Sequence, residues 1–165
     1  MKIYNDFTSD WKKYYCNSIV LDKVNWSYLS GNQNLTQEFI AKHIKKPWDW
    51  EELSMNTCIT PKLISKFIDY PWDWGFLSQN SSIRWKFVLK HIDKQWDFMD
   101  LSANECITLE IIEQNLNYNW DWSYICLNPN ITEEFIFKYR HKSLNWSHLI
   151  THPNITLEFI QKMIS

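Results

Sequence analysis

Glycine is almost absent: Gly31 and Gly75 are the only two in 165 residues. A phosphate-cradling loop of the P-loop or dinucleotide type needs several glycines close together, so neither is present. Long apolar runs are absent too. No stretch approaches the roughly 18 residues of a membrane helix, and Met1-Lys2-Ile3-Tyr4-Asn5-Asp6 lacks the apolar segment of a secretory signal. A cytoplasmic location is therefore expected. Cysteine is sparse, and Cys16, Cys58, Cys106 and Cys126 form no CxxC pair. Without an export signal they read as reduced thiols. Charge of one sign is also lacking: a net charge of −2 gives no general attraction to nucleic acid or an anionic membrane, so any polyanion site must be a local patch.

Tryptophan, by contrast, is abundant, with eleven residues. They fall into columns. One column reads Val24, Trp48, Trp72, Trp96, Trp120, Leu144, and a second, two residues on, reads Trp26, Trp50, Trp74, Phe98, Trp122, Trp146. Between them lie Asn25, Asp49, Asp73, Asp97, Asp121 and Asn145. An asparagine column follows as Asn32, Asn56, Asn80, Asn104 and Asn128, with His152 deviating. Each unit then closes on an Ile-Thr or equivalent pair, such as Ile59-Thr60 or Ile83-Arg84, and the whole pattern gives six units of 24 residues from 22 to 165 without insertion.

Every unit carries two helix starts. Thr60 is a natural N-cap, Pro61 suits the first helical position, and Ile59 before the cap can clasp Ile64 at the fourth. The same grammar makes Asp49 the cap of a shorter first helix, with Trp48 before it and Leu53 as its clasping partner. Helix A is expected to run about seven residues, partly 3₁₀, until an asparagine such as Asn56 takes a left-handed turn. Helix B is expected over Thr60 to Asp69, ended by Pro71. Helices this short cannot bury an apolar face alone, so units must stack into an all-α solenoid over 22–165, with residues 1–21 as an extra capping helix. Burial of one tryptophan is worth about 4–6 kcal/mol as an upper bound, enough for rows of indoles to offset much of the ordering entropy.

The repeated Trp48-Asp49-Trp50, Leu53-Ser54, Asn56 and Ile59-Thr60 resembles the tryptophan-rich repeats of proteins encoded by giant DNA viruses. Its length and its Asn, Thr-Pro, Leu-Ile cadence are also similar to leucine-rich variant repeats, in which an α-helix alternates with a shorter, 3₁₀-like helix in a right-handed solenoid. The resemblance covers 22–165. It implies a solenoid, and a place of action in a host cytoplasm or a virus particle, but no activity. The iron–sulfur segment that can accompany leucine-rich variant repeats needs clustered cysteines, which this chain lacks.

Departures from the repeat mark the candidate site. In unit three Arg84 replaces the capping threonine, Gly75 is expected to loosen helix A, and Trp85 occupies a first-turn position where its ring is expected to be partly exposed. Most units set a glutamate four residues before a lysine on helix B, as in Glu38 with Lys42, Glu134 with Lys138 and Glu158 with Lys162. Units two and three carry Lys62 with Lys66 and Lys86 with Lys90 instead. A partner-binding patch of Lys62, Lys66, Arg84, Trp85, Lys86 and Lys90 follows, set against the plainer reading of a solvated charged face.

Other clusters carry less. His148 and His152 are four apart but lack a third metal ligand. Cys58 and Cys106, two layers apart at roughly 16–20 Å, are beyond disulfide reach. Arg140 interrupts the apolar column Ile44, Ile68, Ile92, Leu116, Ile164, and a twist of helix B is expected to bring it to the surface. No nucleophile has a positioned base, so neither an enzyme nor a cofactor nor a metal is expected. The leading expectation is a monomeric, non-catalytic scaffold for a protein partner. One alternative is a nucleic-acid binder along Lys42, Lys66, Lys90, Lys138 and Lys162, broken by Gln114; the other is a structural virion component stacked end to end.

Overall fold

The computed structural model describes residues 23–164, so the capping helix expected over 1–21 lies outside them. Among the described residues the chain is an all-α solenoid of twelve helices with no strand. The A helices are α1 (Trp26–Ser30), α3 (Trp50–Met55), α5 (Trp74–Gln79), α7 (Phe98–Ala103), α9 (Trp122–Ile125) and α11 (Trp146–Leu149). The B helices are α2 (Gln37–Lys42), α4 (Pro61–Lys66), α6 (Trp85–Lys90), α8 (Leu109–Gln114), α10 (Glu133–Lys138) and α12 (Leu157–Ile164). Consecutive A helices from α1 to α9 pack directly on one another.

Capping sets where the helices begin. Asp49, Asp73, Asp97 and Asp121 each accept from a backbone N–H in the first turn of their A helix, as Thr36, Thr60, Thr108, Thr132 and Thr156 do in their B helices. The apolar clasps close as well: Ile59 with Ile64 and Trp72 with Leu77 are all buried. Gly75 leaves α5 at six residues, the same length as α3 and α7, so it does not shorten its helix.

Helix B ends sooner than its sequence suggests. α4 stops at Lys66 rather than Asp69, and Phe67 caps it at φ −125°, ψ 43°. Proline is not the cause, because α6 and α8 stop at the same place with Gln95 and Asn119 where Pro47 and Pro71 stand. The following indole is not the cause either, because α10 stops at Lys138 with Leu144 in that place, but it does cap the helices it follows. Trp72 Nε1 donates to Phe67 O at 2.8 Å, Trp96 to His91 O at 2.8 Å, Trp120 to Asn115 O at 2.8 Å and Trp48 to His43 O at 3.0 Å. A helix leaves its last carbonyls unpaired, and the buried indole N–H of the next unit satisfies one of them.

The asparagine column also behaves differently from expectation. No described residue has positive φ, and Asn56 is extended at φ −64°, ψ 129°. Its buried side chain instead reaches back one unit, donating from Nδ2 to Ser30 O at 3.0 Å and Asn32 O at 2.9 Å. Asn80, Asn104 and Asn128 repeat this bond pair on the unit behind them. Beside this column runs a buried serine column. Ser78 Oγ donates to Trp74 O at 2.8 Å and accepts from the Asp97 N–H at 3.0 Å, and Ser30, Ser54 and Ser102 accept from the next aspartate in the same way. Units two to five are thus each bonded to the unit before through a buried polar row flanked by apolar residues.

The rings form the second row. Trp26 meets Trp48 edge-on at 4.9 Å, Trp50 meets Trp72 at 5.0 Å, Trp74 meets Trp96 at 5.1 Å and Phe98 meets Trp120 at 5.4 Å. Here the units alternate. In units one, three and five the second-column indole lies parallel to a helix B phenylalanine, Phe39, Phe87 or Phe135. A lysine from the next unit, Lys46, Lys94 or Lys142, sits over the same indole at 5.2–5.8 Å. In units two and four Leu63 and Ile111 replace the phenylalanine. The cover there is a tyrosine: Tyr70 on Trp50 at 5.4 Å and Tyr118 on Phe98 at 5.6 Å. The packing therefore repeats every two units.

Candidate functional site

Helix B carries the expected patch. Lys62 and Lys66 lie on α4, Lys86 and Lys90 on α6, one helical turn apart in each case, and all four are exposed. None of the four makes an ion pair among the described residues. Unit five shows what neutralisation looks like. Lys138 bonds at 2.8 Å to Glu113 of the preceding unit, not to Glu134 of its own helix, and that bond raises the Lys138 pKa. The partner sits 25 residues back. The same offset places Ala41 behind Lys66 and Ser65 behind Lys90, neither of which can carry a negative charge. The lysine column Lys42, Lys66, Lys90, Lys138, Lys162 is therefore uneven: Lys138 is neutralised, Gln114 breaks the run, and Lys66 and Lys90 have no ion pair among the described residues.

Arg84 and Trp85 do not join the lysines as expected. Arg84 caps nothing with its side chain. Its guanidinium turns toward unit four, donating to Ser81 O and lying against the Cys106 sulfur. Burial pushes the Cys106 thiol up, while the nearby guanidinium opposes that shift. Trp85, expected to be partly exposed, is only 8% exposed and belongs to the core. Its ring meets Tyr118 edge-on at 5.4 Å and Trp120 at 5.3 Å. The reason lies in Phe98, the one second-column residue that is not tryptophan. Trp120 receives only a phenyl edge from Phe98, and Trp85 supplies a second ring against it.

What lies among the lysines instead is aliphatic. Leu89 is 41% exposed and Ile92 40% exposed, three residues apart on and just beyond α6. The Ile92 column turns outward along the array: Ile44 is 8% exposed and Leu116 48%. Arg140 reaches the surface in that column, stacked over Phe137 at 4.4 Å and donating to Phe137 O. Arg140 was the available signal that these aliphatic residues lie outside the core.

The remaining candidates separate into structural roles. His148 Nδ1 is paired with Ser123 O and its Nε2 with Asn145, while His152 Nδ1 accepts from the Asn154 N–H. Among the described residues no group of three or more possible ligands exists to hold a metal ion. Cys58, Cys106 and Cys126 are free, and burial pushes the Cys58 thiol up to about 11. No helix among them is long and apolar enough to cross a membrane. The C-terminal end holds a second apolar area, a depression of about 290 Å³ lined by Trp146, Ile150, Ile160 and Met163. Ile150 stands there in the serine column and offers no acceptor to a following unit.

Comparison with protein-family models, with curated proteins and with solved structures finds no match for this chain.

Proposed function

We propose that the chain is a non-catalytic repeat scaffold that binds a protein partner through the outer face of α4 and α6. One observation carries this reading: Lys62, Lys66, Lys86 and Lys90 are exposed on successive helices with no ion pair among the described residues, around the exposed Leu89 and Ile92. Lys138 is neutralised by Glu113 of the preceding unit, whereas Lys66, although its ammonium lies over the Phe67 ring at 5.2 Å, has no carboxylate against it. A surface that mixes unopposed cations with aliphatic side chains gains from contact with a partner of opposite charge and similar apolar content.

Trp85 shapes this face from behind, and the exposed Arg84 turns its guanidinium toward unit four. Trp85 anchors the start of α6 in the core, and Arg84 ties the preceding turn to unit four. The test is capture by immobilised full-length chain, compared with Lys66→Glu/Lys90→Glu and with Lys142→Glu, which alters charge on another column. A protein held by the native chain and by Lys142→Glu but released by the double reversal supports the reading. Capture unaffected by the double reversal removes the α4–α6 face from consideration.

A further inference from the structure

Resting on that reading, we infer the class of ligand this face takes: an acidic peptide segment that carries aliphatic or aromatic residues beside its carboxylates, bound with the acids over Lys62, Lys66, Lys86 and Lys90 and the apolar residues on Leu89, Ile92 and Leu116. The two halves of the face are contiguous. Within each helix the paired lysines are about 6 Å apart along the axis at 1.5 Å per residue, and the two helices sit in adjacent layers at roughly 8–10 Å. That grid spans about two turns of peptide. Leu89 sits beside Lys90 on α6, Ile92 follows one turn later, and Leu116 holds the Ile92 position one unit on. The apolar line then meets Phe137, under Arg140, beside the neutral Lys138–Glu113 pair.

Charge along the same helical position bounds the site. The place of Lys62 and Lys86 is held by Glu38 in unit one and by Glu110, Glu134 and Glu158 in units four to six. An acidic ligand is attracted to the middle of the array and repelled on both sides, so it is held at units two and three. Nucleic acid fits less well. Single strands gain affinity by stacking bases on exposed aromatic faces, whereas the exposed large apolar side chains within the lysine block are the aliphatic Leu89 and Ile92, and the nearest indoles are covered by Lys94, Tyr70 or other rings.

Fluorescence anisotropy with the full chain tests the inference. The probe is a labelled peptide in which a run of glutamates leads into leucines. Its comparators are the same peptide with lysine for glutamate, the same peptide with serine for leucine, and an oligothymidylate. The glutamate–leucine peptide is expected to bind and to weaken as salt rises. Lys66→Glu/Lys90→Glu is expected to weaken it by about tenfold or more, as for loss of charge-assisted contacts. Leu89→Ser/Ile92→Ser is expected to weaken it by roughly three- to tenfold, as for removal of apolar interface contacts. All four substitutions fall on exposed positions, and an unchanged thermal midpoint checks that the fold is retained.

Failure of the peptide to bind, equal binding of the lysine or serine peptide, or tighter binding of the oligothymidylate overturns the inference. Should the peptide fail while capture is still lost on Lys66 and Lys90 reversal, the binding face stands and the ligand class falls. Should both fail, the face itself is wrong.

Discussion

Units four and five meet through a polar row and a ring contact: Asn128 donates to Ser102 O and Asn104 O, the Asp121 N–H bonds to Ser102 Oγ, and Trp120 faces the edge of Phe98. Units five and six meet at the same places with other residues. His152 replaces the asparagine, Cys126 replaces the serine and takes the Asn145 N–H, and Leu144 replaces the first indole. The last junction keeps only the rim contacts of this pattern, where Asn154 Nδ2 reaches Pro129 O and Ile131 O as Asn130 Nδ2 reaches Glu105 O and Ile107 O one unit earlier, and Thr156 bonds to Glu133. An inner unit has neighbours on both sides and keeps its buried bonds dry. At the junction of units five and six the buried asparagine bonds are missing and the rim bonds remain.

The largest break in this comparison comes from the rings. Trp72→Ala removes a buried indole, its bond to Phe67 O and its contact with Trp50, and should destabilise the array by about 3–5 kcal/mol. Leu144→Ala, at the half-buried equivalent in unit six, should lose about 1–2 kcal/mol by the smaller apolar area involved. Urea denaturation of the two variants checks both values; equal losses would mean that the junctions are equivalent.

Asparagine comes next. Asn80→Ala leaves Ser54 O and Asn56 O buried without their donor and should destabilise by about 2–3 kcal/mol, whereas His152→Ala should change stability by about 0.5 kcal/mol or less. The serine column sharpens the contrast from both directions. Ser78→Ala should lose about 1 kcal/mol, and Cys126→Ser, which restores the hydroxyl at the weaker junction, should recover up to about 1 kcal/mol. Thermal melts resolve shifts of this size.

Histidine gives the smallest effect. Burial first, then the Lys90 and Lys94 charges, hold His91 below its ordinary value of 6.5, and burial with Lys42 and Lys46 does the same to His43. His91 Nε2 is buried with no hydrogen-bond partner. The unfolded chain therefore takes up protons more readily, so this part of the stability is present above pH 6.5 and is lost as pH falls through the depressed folded value. His91→Asn copies Asn115 of unit four and should flatten the dependence of the thermal midpoint on pH between 7 and about 5. A slope unchanged by the substitution would place the pH sensitivity elsewhere.

Much of the fold was legible because capping and clasping are local. Asp49, Thr60 and Ile59 act within four residues of themselves, and the repeat shows them several times over. What was not legible lies one unit away. Asn56 reads as a turn residue because asparagine favours turns, yet its use is set by carbonyls of Ser30 and Asn32 that no local pattern reveals. Helix B was overextended because Pro71 was a visible stop, although α6, α8 and α10 end at the same place in the repeat with no proline there. Lys138 was assigned Glu134 by the four-residue rule of a single helix, although the neighbouring unit sets the partner 25 residues back.

The candidate site failed and succeeded for the same reason. Its lysines were readable as a break in a charge column. The burial of Trp85 depended on the substitution at Phe98, thirteen residues later, and the exposure of Leu89 and Ile92 had Arg140 as its surface marker in the sequence.

The buried bonds of the asparagine and aspartate columns all point toward the N-terminus. A unit leaving the ribosome thus finds the acceptors for these two columns in the unit made just before it. Growth of the array can keep pace with translation, one layer templating the next. A duplication or deletion of whole two-unit blocks would carry its own docking surface with it, so length can change without redesign of any junction.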